Sequence, residues 1–181
     1  MSSTESKAFR GYIQVYTGNG KGKTTAALGQ ALRAAGRGLN TYIGQFLKGQ
    51  EYGELEAARK LSPHITIEQF GRKGFIHVTK DPDELDIKMA REGLEKCRSA
   101  LRSQKYDLVI LDEINVALYF KVLTEGDVLG LLDQKPDSVE LILTGRHAPD
   151  FLIQRADLVT EMKEVKHYYA QGIKARDGIE R

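Results

Sequence analysis

The sequence predicts an α/β protein in which a mostly parallel β-sheet is flanked by helices. Short, apolar, β-prone segments alternate with helical segments along the 181-residue chain. Residues 108–111 are apolar without any polar alternation, which is typical of a strand buried on both faces of a parallel sheet, and residues 139–144 repeat the pattern. Residues 17–25 form a glycine-rich connection between the first strand and the first helix, as phosphate-binding loops do.

Each element has its own signal in the chain. The strand segments are rich in β-branched and aromatic residues, and the helices end near Gly36, Pro63 and Pro136. The predicted strands are 12–16, 40–46, 65–70, 108–111, 139–144 and 158–162. The predicted helices are 26–36, 54–61, 81–102, 124–136 and 149–156. The segment from 164 to 181 fits neither class.

The long third helix carries the clearest start signal. We expect Asp81 as its N-cap, Pro82 in its first turn and Glu84 closing a capping box. Its apolar residues recur at near-helical spacing, and Cys97 is one of them. Cys97 is therefore interpreted as a core residue and not as a nucleophile.

Composition limits the classes of function. A formal net charge of +2 does not indicate general affinity for nucleic acid, although it allows acidic substrates. The single cysteine cannot form an internal disulfide, and no leader or membrane-spanning run is evident, so we expect a cytoplasmic protein with no membrane association. We expect residues 1–9 to be a flexible arm and residues 10–181 to be one P-loop α/β nucleotide-binding domain.

The glycine-rich loop has the chemistry of a phosphate site. Glycines let consecutive backbone N–H groups face inward, and the first amides of the following helix add their positive dipole end. Lys23 supplies a charge for the outer phosphates, and the Thr24 hydroxyl can bind magnesium. The usual first glycine is replaced by Thr17. A turn that only caps a helix would explain the glycines but not Lys23 and its following threonines. The predicted nucleotide-binding residues in the loop are Gly18, Asn19, Gly20, Lys21, Gly22, Lys23, Thr24 and Thr25.

A second polar group follows the buried strand at 108–111. Asp112 and Glu113 can hold magnesium directly or through water, which makes Thr24, Asp112 and Glu113 the predicted metal residues. The alternative is that the two acids only solvate a strand end. Because ligands of parallel sheets bind at the carboxyl ends of strands, the loop, these acids and residues 144–147 are expected to meet. On these grounds an ATPase, a nucleotide-switched regulatory module and a kinase all stay open, although no motif for an acceptor site is visible.

Five motifs together resemble one family. They are the loop and its extension through residues 17–27, Gln45-Phe46-Leu47-Lys48-Gly49, Leu111-Asp112-Glu113, Thr144-Gly145-Arg146, and Val165-Lys166-His167 with Gly172-Ile173-Lys174-Ala175. In order and spacing they are similar to the ATP:corrinoid adenosyltransferases of the cobalamin pathway. The resemblance covers roughly residues 10 to 180.

This resemblance implies a RecA-like P-loop fold, usually a homodimer, and transfer of the 5′-deoxyadenosyl group of ATP to Co(I) of a corrinoid with release of triphosphate. It implies that Thr24 and Glu113 bind Mg²⁺, with Asp112 close by, and that Arg146 reaches the polyphosphate. Lys23, with Lys21, would stabilise the leaving triphosphate. A flavoprotein is the expected source of electrons.

The family also places aromatic side chains on the loop before the long helix, where they displace an axial ligand of cobalt. Phe75 stands at the position of the family's phenylalanine, and it is predicted as catalytic together with Lys23. The expected tryptophan two residues later is His77, and the chain contains no tryptophan. A histidine there could fill the same space or could coordinate cobalt and oppose reduction. Ordinary loop packing is the alternative for Phe75. The N-terminal arm is shorter than in relatives where it helps cover the neighbouring active site.

Overall fold

The computed structural model describes residues 10–73 and 82–180. Six strands form one parallel sheet: β1 (Ile13–Thr17), β2 (Thr41–Phe46), β3 (Ile65–Phe70), β4 (Leu108–Asp112), β5 (Glu140–Thr144) and β6 (Leu158–Glu161). Their order across the sheet is β3-β2-β4-β5-β1-β6, and every neighbouring pair is parallel. The predicted strands agree with these bounds to within one residue at each end, which confirms the parallel α/β class.

Six α-helices flank the sheet: α1 (Lys23–Ala35), α2 (Gly53–Lys60), α3 (Glu84–Arg102), α4 (Ile114–Tyr119), α5 (Glu125–Leu132) and α6 (Asp150–Arg155). A 3-10 helix spans Tyr168–Gln171. Helix α1 starts three residues earlier than predicted, at Lys23, so that the loop's lysine and threonines lie in its first turn. Helix α4 and the 3-10 helix were not predicted. No helix within the described residues is long and apolar enough to span a bilayer.

The start of α3 corrects one prediction. The N-cap is Asp83, whose carboxylate accepts a hydrogen bond from the Leu85 N–H at 2.9 Å, and not Asp81. Asp81, Phe75, His77 and residues 1–9 lie outside the described residues. Helix α5 begins at Glu125, one residue after the predicted start, and its N-cap Thr124 forms a reciprocal capping box with Asp127, which was not predicted.

Both faces of the sheet are covered by apolar side chains, which explains the continuous apolar run of β4. Val109 and Leu111 pack into the larger core cluster, with Cys97 from α3. Leu108 and Ile110 point the other way and pack with the small residues of α1. A Cβ atom at Gly44 of β2 would lie 2.5 Å from the Cys97 sulfur, so α3 lies directly on β2 there. Cys97 is fully buried, as expected of a core residue.

Candidate active site at the carboxyl edge of the sheet

The glycine-rich loop runs from the end of β1 to the start of α1. Gly18 and Gly22 have φ values of 93° and 120°, a region that favours glycine. The Gly20 N–H donates to the Met162 carbonyl at 2.7 Å, and a Cβ atom at Gly20 would lie 2.7 Å from that same oxygen. The loop therefore rests on the chain that leaves β6, which leaves no room for a side chain there.

The first turn of α1 supplies free donors and a lysine. The first hydrogen bond of the helix is from Ala26 N–H to the Gly22 carbonyl, so the amides of residues 23–25 have no intrahelical partner. The Lys23 ammonium donates to the carbonyls of Gly18 and Gly20 at 2.7 and 2.8 Å. Burial lowers the pKa of Lys23, against the opposing effect of Glu113. The ammonium thus lies inside the hollow of the loop, where an anion would meet it.

Asp112, at the end of β4, is the centre of a buried polar network that we call the floor of the site, formed by Asp112, Thr24, Thr144, Lys48 and Gln45. One carboxylate oxygen, Oδ1, accepts the hydroxyls of Thr24 at 2.8 Å and Thr144 at 2.7 Å. The other, Oδ2, accepts the Lys48 ammonium at 2.7 Å and the Gln45 amide at 3.2 Å. Asp112 is only 1% exposed, so four donors satisfy a carboxylate that water hardly reaches.

Adjacent carboxylates in this site have opposite pKa shifts. Burial acts to raise the pKa of Asp112, but Lys48 and the hydroxyls of Thr144 and Thr24 outweigh it and hold that pKa below its usual range. Burial and the negative charge of Asp112 raise the pKa of Glu113. Glu113 also has a left-handed backbone, with φ 63°, and its N–H donates to the Thr144 hydroxyl at 3.0 Å. The turn directs Glu113 away from the floor and toward the cleft.

A second turn brings Arg146 to the same edge. Gly145 has φ 134°, and a Cβ atom there would lie 2.9 Å from Cβ of Asn115 on α4. The Asn115 amide donates to the Gly145 carbonyl at 2.9 Å, which ties this turn to the helix that begins after Glu113. Arg146 itself is exposed and borders the cleft. The next residue, His147, stacks on the Tyr119 ring with their centroids 4.1 Å apart.

These elements enclose a cleft of about 650 Å³. The loop, Glu113 and Arg146 line it, together with Tyr52 and Glu54. The C-terminal segment, which the sequence did not classify, contributes part of the lining as well. We call residues 164–180 the cover. The cleft residues from the cover are His167, Gly178, Ile179 and Glu180.

Most of the predicted site residues are brought together. Those that line the cleft are Gly20, Lys21, Gly22, Lys23, Thr24, Thr25, Glu113 and Arg146. Asp112 lies beneath them, hydrogen-bonded to Thr24. Gly18 and Asn19 belong to the loop but stand outside the lining. Sequence reasoning missed the contacts of Gln45, Lys48 and Asn115, although Gln45 and Lys48 stand at the carboxyl end of β2, where such contacts are expected.

The site offers few carboxylate or imidazole ligands for a metal. No group of three or more His, Cys, Asp and Glu residues suited to a metal ion occurs within residues 10–73 and 82–180. The Thr24 hydroxyl, however, donates a hydrogen bond to Asp112, so the lone pairs of its oxygen stay available to a cation. Glu113 adds one carboxylate at the cleft. This donor set suits Mg²⁺, which usually binds one or two protein groups together with substrate phosphates.

The overall fold resembles a known solved structure. A KaiC-like protein, PH0186 from Pyrococcus horikoshii OT3, superposes with a TM-score of 0.54, covering 87% of this chain and 75% of that one. The two sequences are only 16% identical, so the likeness concerns the fold alone. It agrees with the RecA-like P-loop architecture predicted from the sequence.

Sequence comparisons are more specific. A corrinoid adenosyltransferase of Sinorhizobium sp is 38% identical over 173 residues, which are 94% of this chain and 80% of that protein. A corrinoid adenosyltransferase of Escherichia coli K12 is 37% identical over 172 residues, covering 94% of this chain and 86% of the relative. The model of the family ATP:corrinoid adenosyltransferase BtuR/CobO/CobP matches residues 9–181. With nearly the whole chain matched, the protein belongs to the ATP:corrinoid adenosyltransferase family.

Proposed function

We propose that this enzyme transfers the 5′-deoxyadenosyl group of ATP to Co(I) of a corrinoid and releases triphosphate, in the synthesis or salvage of adenosylcobalamin. The observation that carries this proposal is the family match over residues 9–181. The cleft supports it, because the loop, Glu113 and Arg146 meet there as a polyphosphate would require. On this proposal the expected phosphate product is triphosphate, and not ADP or orthophosphate.

The reaction needs no activated nucleophile from the protein. The reduced cobalt attacks C5′ of ATP with its own electron pair, so that a cobalt–carbon bond forms. The bond between C5′ and the α-phosphate oxygen breaks, and its electrons leave with triphosphate. The chain's one cysteine, Cys97, is fully buried in the core, which agrees with a mechanism in which it takes no part.

The protein's task is to stabilise the charge of the leaving triphosphate. We assign this role to Lys23, the free amides of the first turn of α1, Lys21 and Arg146. Lys23 is 7% exposed and already surrounded by loop carbonyls, so it acts where water competes little. Lys21 and Arg146 are exposed at the mouth of the same cleft and would close on the outer phosphates.

We also propose a magnesium site in this cleft. Thr24 and Glu113 would bind the ion directly, while Asp112 would orient the Thr24 hydroxyl, since both oxygens of Asp112 already accept two hydrogen bonds each. Bound there with ATP, magnesium would neutralise part of the polyphosphate charge. These are the three residues that the sequence nominated, now with separate roles.

Further proposals rest on the family resemblance. We propose that the enzyme is a cytoplasmic homodimer that receives its electrons from a flavoprotein and does not bind nucleic acid. Phe75 would act on the lower face of the corrinoid and displace an axial ligand before reduction. Sedimentation of the purified protein tests the dimer directly.

The deciding experiment is anaerobic. Purified protein, magnesium ATP and chemically reduced cobalamin are mixed, and the reaction is followed by visible absorbance and by analysis of the phosphate products. Adenosylcobalamin and triphosphate in equal amounts are expected. Orthophosphate or ADP without any change at cobalt would instead indicate an ATPase, a regulatory module or a kinase on the same fold.

The role of Phe75 has its own test. Phe75→Ala should slow reactions that start from Co(II) by about tenfold or more, because the axial ligand must leave before reduction. Reactions that start from prereduced Co(I) should lose far less. Equal losses from both starting states would remove the assigned role.

A further inference from the structure

Lys48 has no role in the function described so far, yet it lies in the same cleft as the loop. It follows β2 by two residues, after Leu47, whose backbone is left-handed with φ 58°. The Leu47 N–H donates to the Phe70 carbonyl at 3.0 Å. A Cβ atom at Gly49 would lie 2.2 Å from the Gly71 carbonyl oxygen, so this turn is pressed against the chain after β3. The backbone of Lys48 is thus fixed, while its side chain reaches the cleft.

The Lys48 ammonium serves Asp112 mainly as a charge. Three other donors, from Thr24, Thr144 and Gln45, hydrogen-bond to the Asp112 carboxylate, and none of them is charged. If Lys48 turned away, Asp112 would keep three of its hydrogen bonds and lose only its positive partner. A second cation at the floor could replace that charge. Lys48 is therefore the one charged donor of the floor, and its departure leaves Asp112 with the three hydrogen bonds from uncharged donors.

The charge balance of the cleft gives Lys48 a reason to turn. The charged side chains that line the cleft are Lys21, Lys23, Lys48 and Arg146, with Glu54, Glu113 and Glu180. While Lys48 is paired with Asp112, the other three cations share the cleft with Glu54, Glu113 and Glu180, the last of which also pairs with Arg176. A polyanion would then meet little net positive charge among these side chains. If Lys48 turns toward the ligand, it adds one positive charge next to the bound anion.

Geometry allows this movement. The Lys48 side chain is 16% exposed, so its ammonium is at the boundary between the floor and the cleft. Its nitrogen lies 5.5 Å from the centroid of the Tyr52 ring, which forms part of the cleft wall. A lysine has a flexible four-carbon stem and three donors that can be redirected by rotation. Small changes in its torsion angles would move the ammonium from Asp112 to the space above it.

We propose that Lys48 is a second polyphosphate-binding lysine, which exchanges its pairing with Asp112 for the triphosphate oxygens when a nucleotide binds. This inference deepens the proposed function, because it adds a contact to the same nucleotide site. Lys23 binds the triphosphate from the loop, and Lys48 binds it from the carboxyl end of β2. The leaving group would thus be held by lysines from two different elements, the start of α1 and the turn after β2.

The experiment measures binding of inorganic tripolyphosphate to the full chain by calorimetry in EDTA, so that no metal ion contributes. Lys48→Met should weaken binding about tenfold or more, since a hydrogen-bonded charge is lost. Lys48→Arg should restore most of the affinity. The matched control is Lys60→Met, which removes an exposed lysine that pairs with Glu56 on α2 and should change nothing.

A double-mutant cycle separates this contact from simple neutralisation of Asp112. In the D112N background, position 112 carries no charge, so adding K48M leaves no unpaired buried carboxylate. The double variant is therefore protected against misfolding caused by such a charge, and it isolates the contact of Lys48 with the phosphates. If Lys48 contacts the phosphates, K48M weakens binding in the D112N background at least as much as in the wild type. If K48M has no effect there, or none in either background, the proposal is overturned.

The outcome is separable from that of the function itself. If tripolyphosphate binding depends on Lys48 but the protein forms no adenosylcobalamin, the role of Lys48 is supported and the proposed reaction is contradicted. If the protein forms adenosylcobalamin but K48M does not change its affinity for tripolyphosphate, the proposed reaction is supported and the role of Lys48 is contradicted.

Discussion

The floor and the cover border the same cleft but are built in different ways. The floor residues Gln45, Asp112 and Thr144 stand at the ends of three neighbouring strands and are 0–1% exposed. In the cover, Val165 is 91% exposed and Tyr169 is 73% exposed. Sheet register fixes the floor, whereas the cover is held largely by contacts among its own side chains. A change on the buried side should therefore alter chemistry and stability, and a change in the cover should alter access.

The largest effect is expected from Lys23, the first residue of α1, whose buried ammonium donates to the loop carbonyls of Gly18 and Gly20. Lys23→Ala should lower kcat/KM for adenosyl transfer by about a thousandfold, because a buried charge aimed at the leaving triphosphate is lost. The measurement is anaerobic steady-state kinetics with reduced cobalamin. Lys21→Ala is the matched control, since Lys21 belongs to the same loop but is exposed, and a smaller loss is expected. Equal losses in the two variants would contradict the distinction between buried and exposed cations.

Asp112 should have the next largest effect, and on stability. Asp112→Asn leaves Lys48 without its ion-pair partner and should lower the free energy of unfolding by about 3 kcal/mol at neutral pH. The pKa of Asp112 is held low in the folded state, so the carboxylate stabilises the fold above its ordinary pKa of about 3.9. That contribution disappears as pH falls through the folded-state pKa. Urea unfolding from pH 3 to 7 measures the difference between variant and wild type, which should shrink toward acid.

The surface offers a control for this variant. Asp133 pairs with Arg155 at 2.8 Å, and both side chains are well exposed. Asp133→Asn should therefore cost less than about 1 kcal/mol at every pH. If the two substitutions lower the free energy of unfolding by similar amounts, the ion pair of Asp112 with Lys48 stabilises the fold no more than an ordinary surface pair does.

Glu113 should show the opposite dependence on pH. Its pKa is raised by burial and by Asp112, so the folded state holds the Glu113 proton more tightly than the unfolded chain does. Ionisation of Glu113 then costs stability as pH rises from its ordinary pKa of about 4.3 through the folded-state value. Glu113→Gln removes that cost, and its stability relative to wild type should rise over this range and then level off. A difference independent of pH would contradict the assigned environment.

The same contrast explains what the sequence could predict. The β4 run and its two acids were recognisable because a strand buried on both faces has no polar alternation, and the ligand edge follows from parallel order. Two of the partners of Asp112 were not predicted. Lys48 and Gln45 are 64 and 67 residues away in the chain, and they meet Asp112 through the pairing of β2 with β4. Helix α4 was missed because its six residues are too few for a period to show and because, unlike the equally short α6, it has no proline at its start. The cover gave a family motif but no secondary-structure pattern, as it has little regular structure and few buried residues.

The smallest effect is expected from the cover. Arg176 pairs with Glu180 at 3.1 Å and lies 5.0 Å from the Tyr168 ring, and Tyr168 also bonds to Glu180. Arg176→Ala removes a member of this cluster and should raise KM for ATP by about two- to fivefold with little change in kcat, because the cover contributes exposed residues to the lining of the cleft. Amide exchange should quicken in residues 164–180 while the sheet keeps its protection. If Arg176→Ala lowered kcat as much as a floor variant does, the cover would take part in the chemical step and not only in access to the cleft.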